Sequence, residues 1–356
     1  VDHTIVTTEI DLDDTPVVTV DLDIMERNIR RFQAVCAEAG VKLRPHIKTH
    51  KIPAIAHKQL EAGAAGIACQ KLGEAEVMQA AGIEDITLTY NVVGKAKLER
   101  LVRLAGRCDL KVVCDNRAVA DGLSVAFQEA GTRLKVLVEC DTGAGRNGAQ
   151  SPLDAAELAA YVAGKPGLSF AGLMTYPITA HTAGFFAEAY KELDRRGLKA
   201  QIVSTGGTPA LGLLRDVPGV TEHRAGTYVF NDRKCVESGV ATWDDCAMRI
   251  RSTVVSRPAK NRAIIDAGSK TLSSDLLALD GHGRIVEYPG AKIAKLNEEH
   301  GVVLLEDGAP APEVGEVVTI IPNHTCVVTN LHDRLVGVRG GKVETVWDVA
   351  ARGLVR

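Results

Sequence analysis

The stretch Leu110–Cys140 reads LKVVCD, NRAVADGLSVAFQEA, GTR, LKVLVEC. Its two ends, Leu110–Asp115 and Leu134–Cys140, are short apolar runs of the kind that form buried strands. Between them Val119, Leu123 and Phe127 recur at helical spacing, the mark of a helix with one buried face. A strand, a helix and a second strand joined this way predict a parallel pair, because parallel neighbours need a long crossover.

The same alternation extends in both directions. A helix-like segment covers Leu22–Gly40, and β-type runs follow at Val41–Ile47, Ala65–Cys69, Asp85–Asn91, Leu168–Tyr176, Ala200–Thr205 and Val220–Tyr228. Eight strand–helix units in about 230 residues predict an α/β fold with an N-terminal TIM-like (β/α)8 barrel, an open doubly wound sheet being the alternative. From about Arg249 the helical period stops. Runs at Ser252–Ser256, Arg262–Asp266, Val302–Leu305, Glu316–Ile321 and Val343–Trp347 lie between Gly-, Pro- and Asp-rich turns, which predicts a C-terminal β domain. Residues 22–245 are read as the barrel, and residues 1–21 with 246–356 as the β domain, which Val17–Asp21 would join.

Composition narrows the function. The 356 residues carry a formal net charge of -3 and no basic block, which argues against a nucleic-acid partner. No apolar run approaches the ~20 residues of a membrane helix, and no secretory pattern opens the chain, so a soluble, cytoplasmic protein is expected. Eight cysteines are scattered without a CxxC. Cys36, Cys69, Cys108, Cys114, Cys140, Cys235 and Cys246 read as small buried hydrophobes. Cys326 stands apart.

A barrel interior is packed, and chemistry gathers where its strands end. Polar residues do collect there: Arg44–Lys51, Tyr90-Asn91, Asp115-Asn116, Asp141–Arg146, Thr175-Tyr176 with His181 beyond, Ser204–Thr208, and Arg224–Tyr228. In Ser204-Thr205-Gly206-Gly207-Thr208, two glycines let the backbone approach a ligand, and Thr208-Pro209 is placed to cap and start a helix. After a seventh barrel strand this reads as a phosphate loop, with Gly226 offering a second set of amides; a plain glycine turn is the alternative. Strand alternation would put Arg44, His46, Lys48 and His50 on one face. There Lys48 would be desolvated and flanked by cations, both of which favour a neutral, nucleophilic amine; a solvated charge cluster is the bland alternative. An amine and a phosphate loop together suggest pyridoxal 5'-phosphate.

Arg44-Pro45-His46-Ile47-Lys48-Thr49-His50-Lys51 resembles the cofactor-lysine motif of the D-threonine aldolase and D-serine dehydratase family, within the alanine racemase-like, fold-type III pyridoxal phosphate enzymes. The resemblance runs in order through Asp141–Arg146, Ser204–Gly207, Arg224–Tyr228, Asp266-Ala267-Gly268 and Asn297–Gly301 to Pro322-Asn323-His324-Thr325-Cys326. It implies Lys48 as the cofactor lysine and a β domain behind the barrel. Arg146, Tyr176, Ser204, Thr205, Gly206, Gly207, Arg224, Gly226 and Tyr228 would surround the cofactor.

The family also implies a divalent metal (Zn, Mn or Mg) on His324 and Cys326. If the two share one face of a strand, imidazole and thiolate make a good zinc pair, although an inert buried thiol is the alternative. His-x-Cys is the dehydratase pattern, whereas Met174-Thr175-Tyr176-Pro177 lacks the histidine and glycine many dehydratases carry and points back to an aldolase. The expected activity is retro-aldol cleavage of D-β-hydroxy-amino acids to glycine and an aldehyde. A D-serine or D-3-hydroxyaspartate dehydratase is the alternative, and a racemase a further one. His181 and Tyr176 are candidate bases, and Asn297–His300 reads as a closing loop or a helix cap. A homodimer is implied by the resemblance alone.

Overall fold

A computed structural model describes residues 11–356; the part of the expected β domain in residues 1–10 lies outside the described residues. Strand β1 is Val17–Asp21. Eight strands follow: β2 (Lys42–Leu43), β3 (Ile67–Cys69), β4 (Asp85–Leu88), β5 (Asp109–Cys114), β6 (Leu134–Cys140), β7 (Leu168–Thr175), β8 (Ile202–Gly206) and β9 (Glu222–Arg224). They pair in parallel in the order β2-β9-β8-β7-β6-β5-β4-β3. The ladder also returns on itself. Ala65 N–H donates to Leu43 O at 2.9 Å, Ala68 N–H to Pro45 O at 2.7 Å, and His46 bridges Ala68. Pro45 has no N–H to give, but this seam asks only for its carbonyl.

The helices form for the reason the spacing predicts. Helix Arg117–Glu129 buries Val119, Ala120, Leu123 and Phe127, and the Asn116 side chain caps it by accepting from Val119 N–H at 3.0 Å. These faces and the outward side chains of the strands make one continuous apolar core, while Val113, Leu137, Ala171 and Met174 fill the barrel interior. No helix among the described residues is long and apolar enough to cross a membrane.

The second sheet is mostly antiparallel: β10 (Met248–Ala259), β11 (Arg262–Ile265), β12 (Arg284–Ile285), β13 (Lys292–Leu296), β14 (Gly301–Leu304), β15 (Val317–Ile321), β16 (Arg334–Arg339) and β17 (Lys342–Asp348). The circuit β10-β11-β14-β13-β12-β15 closes back on β10, and β1 extends it between β10 and β16. Along β10 buried Met248, Ile250, Ser252 and Val254 alternate with partly exposed neighbours, the period-two pattern of a strand with one buried face. Asn297–His300 meets the start of the short helix Ser269–Leu272. It is the β13–β14 turn, and its Asn297 and Glu298 carbonyls accept from Ser269 and Lys270 N–H. A Cβ on Gly268 would lie 2.3 Å from Glu298 O, so the Asp266-Ala267-Gly268 and Asn297–Gly301 motifs are two sides of one close contact.

The compact units divide elsewhere than at residue 245. Of the described residues, one unit takes those up to Arg30 with Thr49–Ala54 and Thr227–Gly353; the other takes Arg31–Lys48, Ile55–Gly226 and Leu354–Arg356. Thr227–Asp245, read with the barrel, therefore sorts with the β strands.

One buried group ties fold to pH. His223 in β9 is fully buried, and its Nε2 lies 3.2 Å from Gly207 O and its Nδ1 3.0 Å from the Thr205 hydroxyl. Burial, with the charge of Arg224, pulls its pKa down to about 4. The unfolded chain therefore takes up this proton first as pH falls, so stability present above the ordinary histidine value is lost between there and about 4. Wild type is expected to lose up to roughly 3 kcal/mol across that window through this group. His223→Gln should lose correspondingly less between pH 7 and pH 4.5 in urea titrations; parallel losses would clear His223.

Candidate active site

At the carboxyl end of the barrel, the ladder of β2 stops after His46 and Ile47–Thr49 turns as a 3-10 helix. The expected single face for Arg44, His46, Lys48 and His50 is therefore wrong. Arg44 points into the barrel, where its Nε donates to Glu222 at 2.8 Å and its guanidinium also meets Asp85. It is a buried ion-pair member, neutralised by its partners. His46 supports the turn: its Nε2 lies 3.1 Å from the Thr89 hydroxyl, and its Nδ1 faces Lys48 N–H at 3.4 Å. His50 Nδ1 accepts from Ile52 N–H at 3.1 Å, and Lys51 Nζ donates to Asn330 at 2.8 Å.

Lys48 is half-buried, its Nζ 5.3 Å from the centroid of the Tyr176 ring. The Arg146 guanidinium lies 5.2 Å from the same centroid. Tyr176 also borders the glycine loop: a Cβ on Gly206 would come 3.1 Å from the ring and 3.0 Å from Arg224 O. So Lys48, Tyr176, Arg146, Gly206 and Gly207 are brought together. A cavity of about 480 Å³ lined by Gln70, Tyr90, Asn91, Arg146 and Asn147 opens alongside Arg146.

Other predicted residues fall differently. Ser204 donates to Glu222 at 2.7 Å and accepts from Arg224, while the Thr205 hydroxyl meets His223, so both side chains are committed within the barrel wall. The Gly207 N–H is itself donated to Arg224 O at 2.8 Å, so what the two glycines of Ser204–Thr208 offer is close approach without a Cβ. Gly207, at φ +114°, takes the cap position expected of Thr208, and Thr208–Asp216 is a 3-10 helix. Arg224 is buried and donates to Thr175 O at 2.9 Å; burial holds its pKa down, to about 10, against the pull of Glu222 and Glu139. Gly226 ends the barrel unit. Tyr228 is buried in the Thr227–Val229 turn of the other unit. His181 is exposed, at the start of helix Thr182–Asp194 and against Gly143 of the Asp141–Arg146 loop.

Three residues of the barrel unit escaped the sequence reading. Glu139, buried in β6, accepts from Asn147 at 2.8 Å and from Arg146 at 3.3 Å, and burial raises its pKa. Its signal was an acid inside the apolar run LKVLVEC. Glu222 and His223, inside another strand, brace the glycine loop from below.

In the β unit, His324 and Cys326 do not lie on a strand. Pro322 ends β15, His324 takes the cap position of helix Thr325–Leu331, and Cys326 sits in its first turn. Asp232 fixes that turn by accepting from Thr325 N–H at 3.2 Å. His324 Nδ1 lies 2.7 Å from an Asp275 carboxylate oxygen, and the imidazole also hydrogen-bonds the Cys326 side chain. Burial works against the imidazolium, yet the Cys326 and Asp275 side chains raise its pKa to about 9. Cys326 Sγ is 3.2 Å from the Thr49 hydroxyl and 4.0 Å from that of Thr227. Among the described residues no group of three or more His, Cys, Asp or Glu is placed to hold a metal.

Comparisons with known proteins bear on both units. A model described as alanine racemase, N-terminal domain, matches residues 20–234, and one described as a putative serine dehydratase domain matches residues 247–338. A D-threonine aldolase from Arthrobacter sp is 38% identical over 96% of this chain and 94% of its own length. The chain belongs to the D-threonine aldolase and D-serine dehydratase family. A D-threo-3-hydroxyaspartate dehydratase from Delftia sp. (strain HT23) is another member, 33% identical over 88% of this chain and 91% of its own. The crystal structure of D-threonine aldolase from Filomicrobium marinum superposes with a TM-score of 0.88 at 35% identity, covering 96% of this chain and 97% of that one. The family's alanine racemase-like fold implies pyridoxal phosphate, and these relatives are lyases.

Proposed function

We propose that this chain is a pyridoxal phosphate- and metal-dependent D-threonine aldolase, cleaving D-β-hydroxy-amino acids to glycine and an aldehyde. The reading rests above all on Lys48, whose amine faces the Tyr176 ring beside Arg146 and the Gly206–Gly207 backbone. That donor set fits a phosphorylated aromatic aldehyde: an amine for the aldehyde, a ring to stack on, a cation, and a loop where any Cβ would intrude. When bound, the cofactor supplies an electron sink for the carbanion left at Cα.

Lys48 offers its amine to the aldehyde carbon and afterwards holds or returns a proton near Cα. Tyr176 keeps water off one face of the ring, and Glu139 holds Arg146 and Asn147 in place. His181 and Tyr176 are the side chains offered as base for the β-hydroxyl proton. Ser204, Thr205 and Arg224 act from within the barrel wall, shaping the loop; Gly226 and Tyr228 complete the proposed cofactor set.

His324 and Cys326 fit a divalent ion with open positions, because Asp275 holds one imidazole nitrogen and the ring stands beside the Cys326 thiol. Zinc suits the thiolate best, with manganese or magnesium as substitutes. The ion supplies a Lewis acid for the β-hydroxyl. A homodimer acting in the cytoplasm completes the proposal.

The second reading, a D-serine or D-3-hydroxyaspartate dehydratase, is favoured by Cys326 and by the dehydratase domain match over residues 247–338. Product analysis with D-threonine and D-serine, with and without a chelator, separates the readings. Glycine and acetaldehyde are expected, at a rate falling about 100-fold or more on chelation. Ammonia with a 2-oxo acid would establish the dehydratase instead. Racemisation alone, indifferent to chelator, would sink both the lyase and its metal.

A further inference from the structure

Asp275 stands in a segment whose backbone is held in an uncommon shape. Ser273, Leu277 and Ala278 take positive φ values of 65°, 49° and 61° without being glycine. Such conformations persist only where the surroundings enforce them, and they cluster at working sites. Here the enforcement is visible on both sides. The preceding helix Ser269–Leu272 is held by the Asn297 and Glu298 carbonyls, and its Thr271 carbonyl lies 3.1 Å from His332 Nε2. The Ser273 hydroxyl then accepts from Asp275 N–H at 3.2 Å, and Leu279 N–H closes a turn on Leu276 O. The outcome is a carboxylate 2.7 Å from His324 Nδ1, across 49 residues of sequence.

We infer that Asp275 is a positioning residue for His324. Its carboxylate accepts the Nδ1 proton, fixes the tautomer and ring angle, and presents Nε2 to a divalent cation. The inference rests on the metal reading of His324 and Cys326 given above. It gives Asp275 a role through the imidazole rather than as a ligand: its Oδ2 meets Nδ1, and the turn holds it there. A histidine so braced loses little rotational freedom on binding an ion, whereas an unbraced ring has to be ordered by the ion itself.

The test is zinc titration of the full chain against a chromophoric chelator, with circular dichroism confirming that each variant is folded. Asp275→Ala should weaken zinc binding roughly 10- to 100-fold. Asp275→Asn, whose amide oxygen can still accept from Nδ1, should recover most of that loss. His324→Ala should abolish the site. Asp275→Ala binding within twofold of wild type, while His324→Ala does not bind, would overturn the positioning role and leave the metal reading intact. Asp275→Asn as weak as Asp275→Ala would overturn the hydrogen-bond mechanism. Zinc bound equally by His324→Ala would remove the metal reading itself, and the role of Asp275 with it.

Discussion

Lys48→Ala is expected to lose the borohydride-fixed cofactor label and to drop kcat/KM by about 1,000-fold or more. The wild-type label should map by mass spectrometry to the peptide carrying Lys48. Lys51 and Lys71 also follow barrel strands, and the structure separates them from Lys48. Lys51 Nζ is hydrogen-bonded to Asn330, and Lys71 lies 3.7 Å above the Tyr90 ring, whereas Lys48 faces Tyr176 beside the glycine loop. Partial rescue of Lys48→Ala by a small primary amine would show that the chemistry of the amine matters, because a lost structural contact is not restored by a freely diffusing one. A label on Lys51 or Lys71, or full activity in Lys48→Ala, would overturn the site.

Glu222→Ala should unfold at markedly lower urea, with a loss of about 3–5 kcal/mol and no change in the steepness of the transition. Glu222 is buried, and both carboxylate oxygens are used: one takes Arg44 Nε at 2.8 Å, the other the Ser204 hydroxyl at 2.7 Å. Removing it strands the Arg44 charge with Asp85 alone and withdraws the carboxylate that supports the charge of fully buried Arg224. Glu222→Gln keeps an acceptor for Ser204 and should lose less. A loss below about 1 kcal/mol would mean that Asp85 carries Arg44 unaided.

The barrel was legible because its evidence is periodic. Leu110–Cys140 shows a strand, a helix and a strand whose buried positions match the observed ones. Ends of elements were not, since they depend on partners far along the chain. Val41–Ile47 shrinks to the two residues of β2, yet Arg44 N–H to His223 O and His46 N–H to Ala225 O continue the ladder almost to Ile47.

The stretch Thr325–Leu331, TCVVTNL, is rich in β-branched residues, which read as strand; it forms a helix because its first turn is anchored by Asp232, a tertiary contact that overrides propensity. The same effect broke the alternation argument for His324 and Cys326 while still bringing their side chains near one another. Lys48, Tyr176 and the glycines were found by their position at strand ends. Asp275 and Glu222 were not, because a serine-flanked acid and an acid in a short strand carry no local sign of the partner each meets.

Closure of the barrel has a kinetic side. The seam between β2 and β3 joins residues close in sequence, but the β2–β9 ladder pairs Lys42 with Glu222 across most of the barrel's length. Of the strand pairings in the barrel it spans the longest stretch of chain and so carries the largest loop entropy among them, and pairings of such separation are slow to form. The Arg44–Glu222 ion pair sits on that ladder. A bond made after the rate-limiting step leaves the speed of folding alone and slows escape from the folded state. On that footing the pair acts as a latch, setting how long a closed barrel stays closed.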